Sequence, residues 1–352
     1  MYSCSRMRLA AGSAAGHRPA RCMPRLLHKL PHHIVAASTR RYCAVATISM
    51  DSVVSAEWLS AELKAEGAAP LRVVDSSWFL MGKDFAGAER DAEAEFVAAG
   101  RIPGAVFFNL DEVADTSSGF AHMMPTTEQF SDKMEQIGVD KSTRVIIYDT
   151  LGMFSAPRCW FTFRVFGHNN VAVLDGGFPS WKAGGHPVET GQPSSYANST
   201  VAKSEWSKDE SAVWSLSDVV QNKAAPSPVL LVDARPEGRF HGTVPEPREG
   251  MRSGHVPGSV SLPFSAVLDG LLPADGAKMK SDAELREVMA SAGVDISGAT
   301  QIATTCGSGM TAAIVSLALH RLGVKSSLYD GSWSEYGLPG EHVVVTTAEE
   351  AK

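Results

Sequence analysis

The chain has 352 residues, of which 44% are apolar and 20% are charged, and its formal net charge is −7. This length suffices for two domains with separate cores, and the composition is typical of a soluble globular protein. No stretch approaches the ~18 consecutive apolar residues of a membrane-spanning helix, so no membrane association is expected.

The first 50 residues differ from the rest of the chain in charge. They contain no Asp or Glu and eight basic residues: Arg6, Arg8, Arg18, Arg21, Lys29, Arg25, Arg40 and Arg41. Because no apolar region follows the basic residues, this composition indicates an organelle transit peptide rather than a secretory signal. We expect residues 1–50 to direct the protein to mitochondria, with a plastid or cytoplasmic location as alternatives. Without these eight charges the remainder carries −15, which argues against nucleic acid as a partner.

Cysteine usage points to a reducing compartment. Three of the five cysteines lie in the leader, and only Cys159 and Cys306 follow it, too few for a disulfide framework. Cys159 lies in an apolar run and is interpreted as a core residue. No group of Cys and His residues has the spacing of a zinc site, so no metal is expected.

The body of the chain contains one internal repeat. Four segments of residues 51–189 recur in order in residues 211–347, namely 71–75 and 229–233, 101–106 and 255–260, 145–149 and 302–306, and the Asp-Gly steps at 175–176 and 330–331. The nearly constant offset indicates two copies of one domain. Short apolar strands alternate with helices in each copy, which predicts an α/β fold with a parallel sheet flanked by helices. The polar residues 190–210 are the predicted linker.

The second copy contains the stretch with the strongest chemical signal, Cys306-Gly307-Ser308-Gly309-Met310-Thr311. A predicted strand over 300–305 leads into it, and a predicted helix over 312–322 follows it and stops at Gly323. Cys306 therefore lies at the carboxyl end of a strand, where open α/β sheets place their chemistry. Gly307 and Gly309 let the backbone curl so that successive N–H groups point at the sulfur. With the helix N-terminus they form an anion site, which favours Cys306 as a thiolate nucleophile.

This strand, loop and helix resemble the active-site loop of the rhodanese superfamily, and most of all the Cys-Gly-Ser/Thr-Gly-Val-Thr form of its 3-mercaptopyruvate sulfurtransferases. The resemblance covers nearly all of residues 51–340 and implies two tandem rhodanese-like domains. It implies that Cys306 carries sulfur as a persulfide, that loop residues Gly307, Ser308, Gly309, Met310 and Thr311 bind substrate, and that no cofactor is needed. The sequence departs from the family pattern at Met310, Arg101 and Asn109, where Val, His and Asp are usual.

The first copy lacks a nucleophile at the corresponding position. Asp149 stands where the second copy has Cys306, and the loop after it is about two residues longer. The first domain is therefore predicted to be catalytically silent and to help shape the site of the second.

Two arginines, Arg239 and Arg248, flank a Pro-rich loop over 243–247. A guanidinium group can bind a carboxylate through two parallel hydrogen bonds. From the residues alone, a surface ion pair with Glu246 or Glu249 is the simpler interpretation. The resemblance instead assigns both arginines to the substrate carboxylate. Other polar residues are interpreted as structural: an ion pair between Asp233 and Arg235, and His255.

The resemblance implies transfer of sulfur from 3-mercaptopyruvate to a thiol, reduced thioredoxin or cyanide, with release of pyruvate. One alternative is a thiosulfate sulfurtransferase, in which the positions of Gly307 and Ser308 are typically Arg and Lys. Another is a non-enzymatic sulfur-carrier or redox-sensing module. A rhodanese-related phosphatase is disfavoured because its loop ends in arginine, whereas the sixth residue after Cys306 is Ala312.

Overall fold

The computed structural model describes residues 50–67, 69–83, 87–193, 204–270 and 276–346. The predicted transit peptide, except Met50, and residues 194–203 of the predicted linker lie outside these ranges. Within them, two five-stranded parallel sheets have the same topology, which confirms the predicted tandem α/β domains. No helix in this part of the chain is long and apolar enough to cross a membrane.

The first sheet has the strand order β1-β5-β4-β2-β3, with every neighbouring pair parallel. Its strands are β1 (Val53–Val54), β2 (Leu71–Asp75), β3 (Val106–Phe107), β4 (Arg144–Tyr148) and β5 (Val171–Leu174). Its helices are α1 (Ala56–Glu62), α2 (Ala92–Ala98), α3 (Thr127–Ile137), α4 (Ala156–Val165) and α5 (Gly177–Ala183).

The second sheet repeats this arrangement in the order β6-β12-β11-β7-β8. Its strands are β6 (Val213–Trp214), β7 (Leu230–Asp233), β8 (Val260–Ser261), β11 (Ile302–Thr305) and β12 (Ser326–Tyr329). Its helices are α6 (Leu216–Asn222), α7 (Glu237–Phe240), α8 (Asp282–Ser291), α9 (Ala312–Arg321) and α10 (Ser332–Tyr336). An antiparallel pair, β9 (Leu268–Asp269) and β10 (Lys278–Met279), is inserted before α8.

Local sequence explains where the helices begin and end. The hydroxyl of Ser55 accepts the N–H of Trp58 at the start of α1, and Ser215 forms a capping box with Asp218 at the start of α6. At the other end of α9, Gly323 has a φ of +80°, as expected of a residue that stops a helix. The predicted helix stop at Gly323 is confirmed.

The two domains pack through α4 and α9, which contact each other. Both helices carry apolar side chains on nearly all sides. Every residue of α4 except Arg164 is buried. A helix without a polar face must be covered on all sides, so each domain supplies cover for the other. Cys159 lies on α4, fully buried, and burial raises the pKa of its thiol, which confirms its interpretation as a core residue.

The departures in the first domain have structural roles. Arg101 is fully buried, forms an ion pair with Glu189 and donates to the carbonyl of Gly191 at 2.7 Å. It therefore fastens the end of the first domain to its own core. Asn109 accepts the N–H of Asp111 at 3.0 Å and so turns the chain after β3.

Candidate active site

Cys306 follows β11, the central strand of the second sheet, directly. All four residues of β11 are buried, and α9 begins six residues after the cysteine, at Ala312. The side chain of Cys306 is itself buried, with 2% exposed. The sequence-predicted placement at the carboxyl end of a strand and the mouth of a helix is confirmed.

The loop after Cys306 forms an amide cradle, defined as the backbone N–H groups of residues 307–311. Within the described part of the chain, none of these five groups donates to a protein acceptor. Unpaired N–H groups on a curled loop at a helix N-terminus attract an anion. The cradle therefore offers hydrogen-bond donors to a negatively charged sulfur on Cys306 or to an anionic substrate.

The first domain shows what such a loop does when it carries its own anion. The carboxylate of Asp149 accepts five N–H groups of the loop that follows β4, at 2.7–3.0 Å; they belong to Leu151, Gly152, Phe154, Ser155 and Ala156. The loop of the first domain is thus filled by its own side chain. Its donors are already used and are not available to a substrate anion.

The two glycines of the loop have different roles. Gly309 has a φ of +77°, and a Cβ there would lie 2.9 Å from Arg158 Nη1. Gly307 does not adopt a left-handed conformation, so the positive φ of this loop lies at Gly309. A Cβ on Gly307 would instead lie 3.2 Å from Arg239 Nη2, so this glycine makes room for a guanidinium group.

Arg239 and Arg248 reach Gly307 from different elements. Arg239, on α7, forms an ion pair with Glu246 while its guanidinium lies against Gly307. Arg248 donates to Ser334 Oγ at 2.8 Å, and that hydroxyl donates to the carbonyl of Gly307 at 2.6 Å. The two interpretations of Arg239 are therefore compatible, since pairing with Glu246 holds its guanidinium beside the loop.

Glu246 was not singled out from the sequence as more than a surface partner. Its side chain is 2% exposed and also binds Arg235 Nη1 at 2.9 Å. Arg235 in turn forms the predicted ion pair with Asp233, at 2.6 Å. His255 is buried and stacks on Phe240 with ring centroids 3.9 Å apart, which supports its structural interpretation.

A support segment, Asp330–Ser334, holds the catalytic loop from the other side. Ser332 Oγ accepts the N–H of Cys306 at 3.2 Å and donates to the carbonyl of Tyr329 at 2.8 Å. The N–H of Trp333 donates to the carbonyl of Cys306 at 2.9 Å. Ser332 has a φ of +50°, whereas the corresponding residue of the first copy is Gly177 with a φ of +54°. A serine in this conformation is strained by about 1–3 kcal/mol, and here its hydroxyl positions the cysteine.

The other loop side chains contribute less directly. Met310 is 3% exposed and packs in the core, so only its backbone can face a substrate. Ser308 is buried, and Thr311 precedes α9 without capping it through its side chain. Both hydroxyls remain candidates for contacts with substrate.

The first domain also reaches the support segment. Arg158 Nη2, at the start of α4, donates to Asp330 Oδ1 at 2.6 Å, and the N–H of Met124 donates to Asp330 Oδ2 at 2.6 Å. His122 precedes Met124 by two residues, and its Nδ1 lies 2.6 Å from a carboxylate oxygen of Asp111. The sequence analysis did not select Arg158 or Asp330 as site residues. The only signal was that Asp330 belongs to the repeated Asp-Gly step.

Neither a metal site nor a disulfide is formed by the described residues. They contain no group of three or more His, Cys, Asp or Glu side chains that could hold a metal ion. Cys159 and Cys306 are both free.

Comparison with known proteins identifies relatives over most of the chain. The family model of the rhodanese-like domain matches twice, at residues 55–184 and 215–338. The chain is 38% identical over 299 residues to the mouse 3-mercaptopyruvate sulfurtransferase, covering 83% of this chain and 95% of the relative. It is 37% identical over 316 residues to the mitochondrial thiosulfate/3-mercaptopyruvate sulfurtransferase 1 of Arabidopsis thaliana, covering 84% and 78%.

A solved structure agrees with this relationship. SseA from Escherichia coli, described as having the rhodanese fold and as a 3-mercaptopyruvate sulfotransferase, superposes with a TM-score of 0.66. The two sequences are 31% identical, and the match covers 81% of this chain and all of SseA.

Proposed function

The chain belongs to the rhodanese family, and we propose that it carries sulfur from 3-mercaptopyruvate to an acceptor thiol through a persulfide on Cys306. It is a sulfurtransferase, an enzyme that transfers sulfur-containing groups. The observation that carries the proposed route is Cys306 at the carboxyl end of β11, beside an amide cradle whose N–H groups have no acceptor among the described residues. Arg239 lies against Gly307 at the edge of that cradle, and Arg248 is linked to the carbonyl of Gly307 through the hydroxyl of Ser334.

The first half-reaction forms the persulfide. The Cys306 thiolate attacks the sulfur of 3-mercaptopyruvate, an S–S bond forms, and the C–S bond breaks. The electron pair of that bond stays on carbon as the enolate of pyruvate, which takes a proton to give pyruvate. The amide cradle holds the negative charge on the transferred sulfur, and because these donors are already in place they need no rearrangement.

The second half-reaction returns the enzyme to its starting state. A thiolate of the acceptor attacks the outer sulfur, the S–S bond to Cys306 breaks, and the thiolate of Cys306 leaves. Reduced thioredoxin, a small thiol or cyanide fits this step, and cyanide would give thiocyanate. The two steps form a ping-pong cycle that needs neither a metal nor an organic cofactor.

Arg239 and Arg248 are assigned to the substrate carboxylate. Both approach Gly307 from the side of α7 and the loop that follows it, so a carboxylate placed there would lie beside the cradle. Charged hydrogen bonds from guanidinium groups would orient an α-keto acid with its sulfur toward Cys306. The loop itself carries no charged side chain, which suits a substrate with one carboxylate better than a dianion such as thiosulfate.

The donor specificity tests this assignment. We expect a strong preference for 3-mercaptopyruvate over thiosulfate in kcat/KM, measured as cyanide-dependent thiocyanate formation from each donor at matched ionic strength. The double change Gly307→Arg with Ser308→Lys should shift the ratio toward thiosulfate, because it adds two cations beside Arg239. The control, Gly307→Ala with Ser308→Ala, changes both side chains without adding charge.

Three results would contradict these claims separately. A wild-type preference for thiosulfate would favour the thiosulfate sulfurtransferase alternative. An equal shift in the charged variant and in the alanine control would overturn the electrostatic explanation alone. Thiocyanate formation from neither donor would point to the sulfur-carrier or redox-sensing alternative.

The leader suggests where the enzyme acts. Residues 1–50 contain eight basic and no acidic residues, and the Arabidopsis relative is named as mitochondrial. We expect these residues to carry a fused fluorescent reporter into mitochondria, and their deletion to leave kcat/KM unchanged. A reporter that stays in the cytosol would contradict the targeting role, and one in plastids would contradict the choice of organelle.

A further inference from the structure

Two equivalent hydrogen bonds join the two domains. The carboxylate of Asp175 in the first domain accepts the N–H of Met279 from the second, at 2.9 Å. The carboxylate of Asp330 in the second domain accepts the N–H of Met124 from the first, at 2.6 Å. Asp330 follows Asp175 by 155 residues, and Met279 follows Met124 by the same 155 residues. This is also the offset between the two Asp-Gly steps. Each domain thus places one backbone segment against the strand-end aspartate of the other.

Arg158 breaks this symmetry on the side of the catalytic loop. Its Nη2 donates to Asp330 Oδ1 and to the carbonyl of His122, and the arginine and aspartate side chains are only 1% and 4% exposed. At the matching position of the second domain, the third residue of α9 is Ile314. No arginine among the described residues forms an ion pair with Asp175.

Arg158 also lies against the catalytic loop itself. Its Nη1 is 3.5 Å from the carbonyl oxygen of Gly309. A Cβ on Gly309 would lie 2.9 Å from Arg158 Nη1. The carbonyl oxygen of Asp330 would lie 3.1 Å from that Cβ. The guanidinium group is therefore packed between the turn of the amide cradle and the start of the support segment.

We infer that Arg158 of the silent domain is a positioning residue for sulfur transfer, which fixes Gly309 and Asp330 and thereby the direction of the cradle N–H groups. The inference rests on the proposed function of Cys306. Arg158 does not touch the reacting sulfur in this arrangement; it acts through the loop and the support segment. Small displacements of reacting groups slow a reaction strongly. A shift of the cradle should therefore lower the rate of sulfur transfer more than it weakens substrate binding.

The experiment compares two buried arginines of the first domain in the full chain. Arg158→Gln removes the contact with the second domain, and Arg101→Gln removes an ion pair with Glu189 inside the first. Both should lower the melting temperature, since each leaves a carboxylate without its partner. Only Arg158→Gln should slow persulfide formation on Cys306, by about tenfold or more in single turnover, with KM changed by less than about threefold.

A second readout does not depend on the substrate. The rate at which iodoacetamide labels Cys306, read on its peptide by mass spectrometry, should change in Arg158→Gln and stay as in wild type in Arg101→Gln. This rate reports the surroundings of the thiol even if 3-mercaptopyruvate is not the donor. If the labelling rate changes in Arg158→Gln but wild type shows no turnover of 3-mercaptopyruvate, the positioning role is supported and the proposed function is contradicted.

Two further variants keep the inference testable. If Arg158→Gln does not fold, Arg158→Lys keeps the charge but loses the forked geometry, and it should still slow persulfide formation. Asp330→Asn combined with Arg158→Gln should be no slower than Arg158→Gln alone. The two side chains form one ion pair, so the effects of removing each partner should not add. Wild-type rates of persulfide formation and labelling in folded Arg158 variants, or equal losses in Arg101→Gln, would overturn the inference.

Discussion

Cys306→Ser is expected to reduce sulfur transfer to background while leaving the fold intact. A serine hydroxyl occupies nearly the same volume but is not ionised at neutral pH, so it cannot attack the donor sulfur. The bonds that hold residue 306 involve its backbone, with the hydroxyl of Ser332 and the N–H of Trp333, and they survive the change. Turnover is measured as pyruvate release, and folding as the thermal unfolding transition.

The matching measurement is the site of the persulfide. Wild type incubated with 3-mercaptopyruvate and no acceptor should gain one sulfur atom on the peptide that contains Cys306, found by mass spectrometry. The control is Cys159→Ala, which removes the buried thiol of α4 and should keep the persulfide on Cys306. Burial raises the pKa of the Cys159 thiol, so it is a poor nucleophile. Labelling at Cys159 in wild type would refute the assignment.

Arg239→Ala should raise KM for 3-mercaptopyruvate and lower kcat/KM about tenfold or more, in line with ~1.5–3 kcal/mol for a charged hydrogen bond. Arg248→Ala should act in the same direction. Removing Arg239 leaves Glu246 still paired with Arg235 at 2.9 Å, so the effect should appear in substrate kinetics more than in stability.

The control for charge is Arg321→Ala, at the end of α9. Arg321 pairs with Asp282 at 2.6 Å on the surface of the same domain, and its loss removes one positive charge without touching the loop. Its kinetics should match wild type. If Arg239→Ala and Arg248→Ala also matched wild type, the carboxylate of the substrate must bind elsewhere.

Much of the fold was readable from local patterns. The repeat offset placed Asp149 and Cys306 at equivalent strand ends, and both follow the central strand of their sheets. The helix starts at Ser55 and Ser215 were predictable because a capping residue acts within one turn of its own position. Interactions of such short range depend on neighbouring residues alone.

Other features depended on residues that meet only after folding. Ser332 positions Cys306 from 26 residues away, and its left-handed backbone could not be anticipated because serine rarely adopts it. The filling of the silent loop by Asp149 required the path of the backbone around the carboxylate. The close approach of Arg239 to Gly307 also depends on the fold, because Arg239 lies on another element.

The sequence by itself determined that there are two similar α/β domains and that one carries a cysteine in a glycine-containing loop at a strand end. These conclusions follow from periodicity, repeat spacing and turn residues, which are properties of the chain order. Only the tertiary structure decided that Arg239 both pairs with Glu246 and faces the loop, and that Arg158 reaches Gly309 from the first domain. A buried charge is stable only where distant groups compensate it, and the fold alone determines which groups those are.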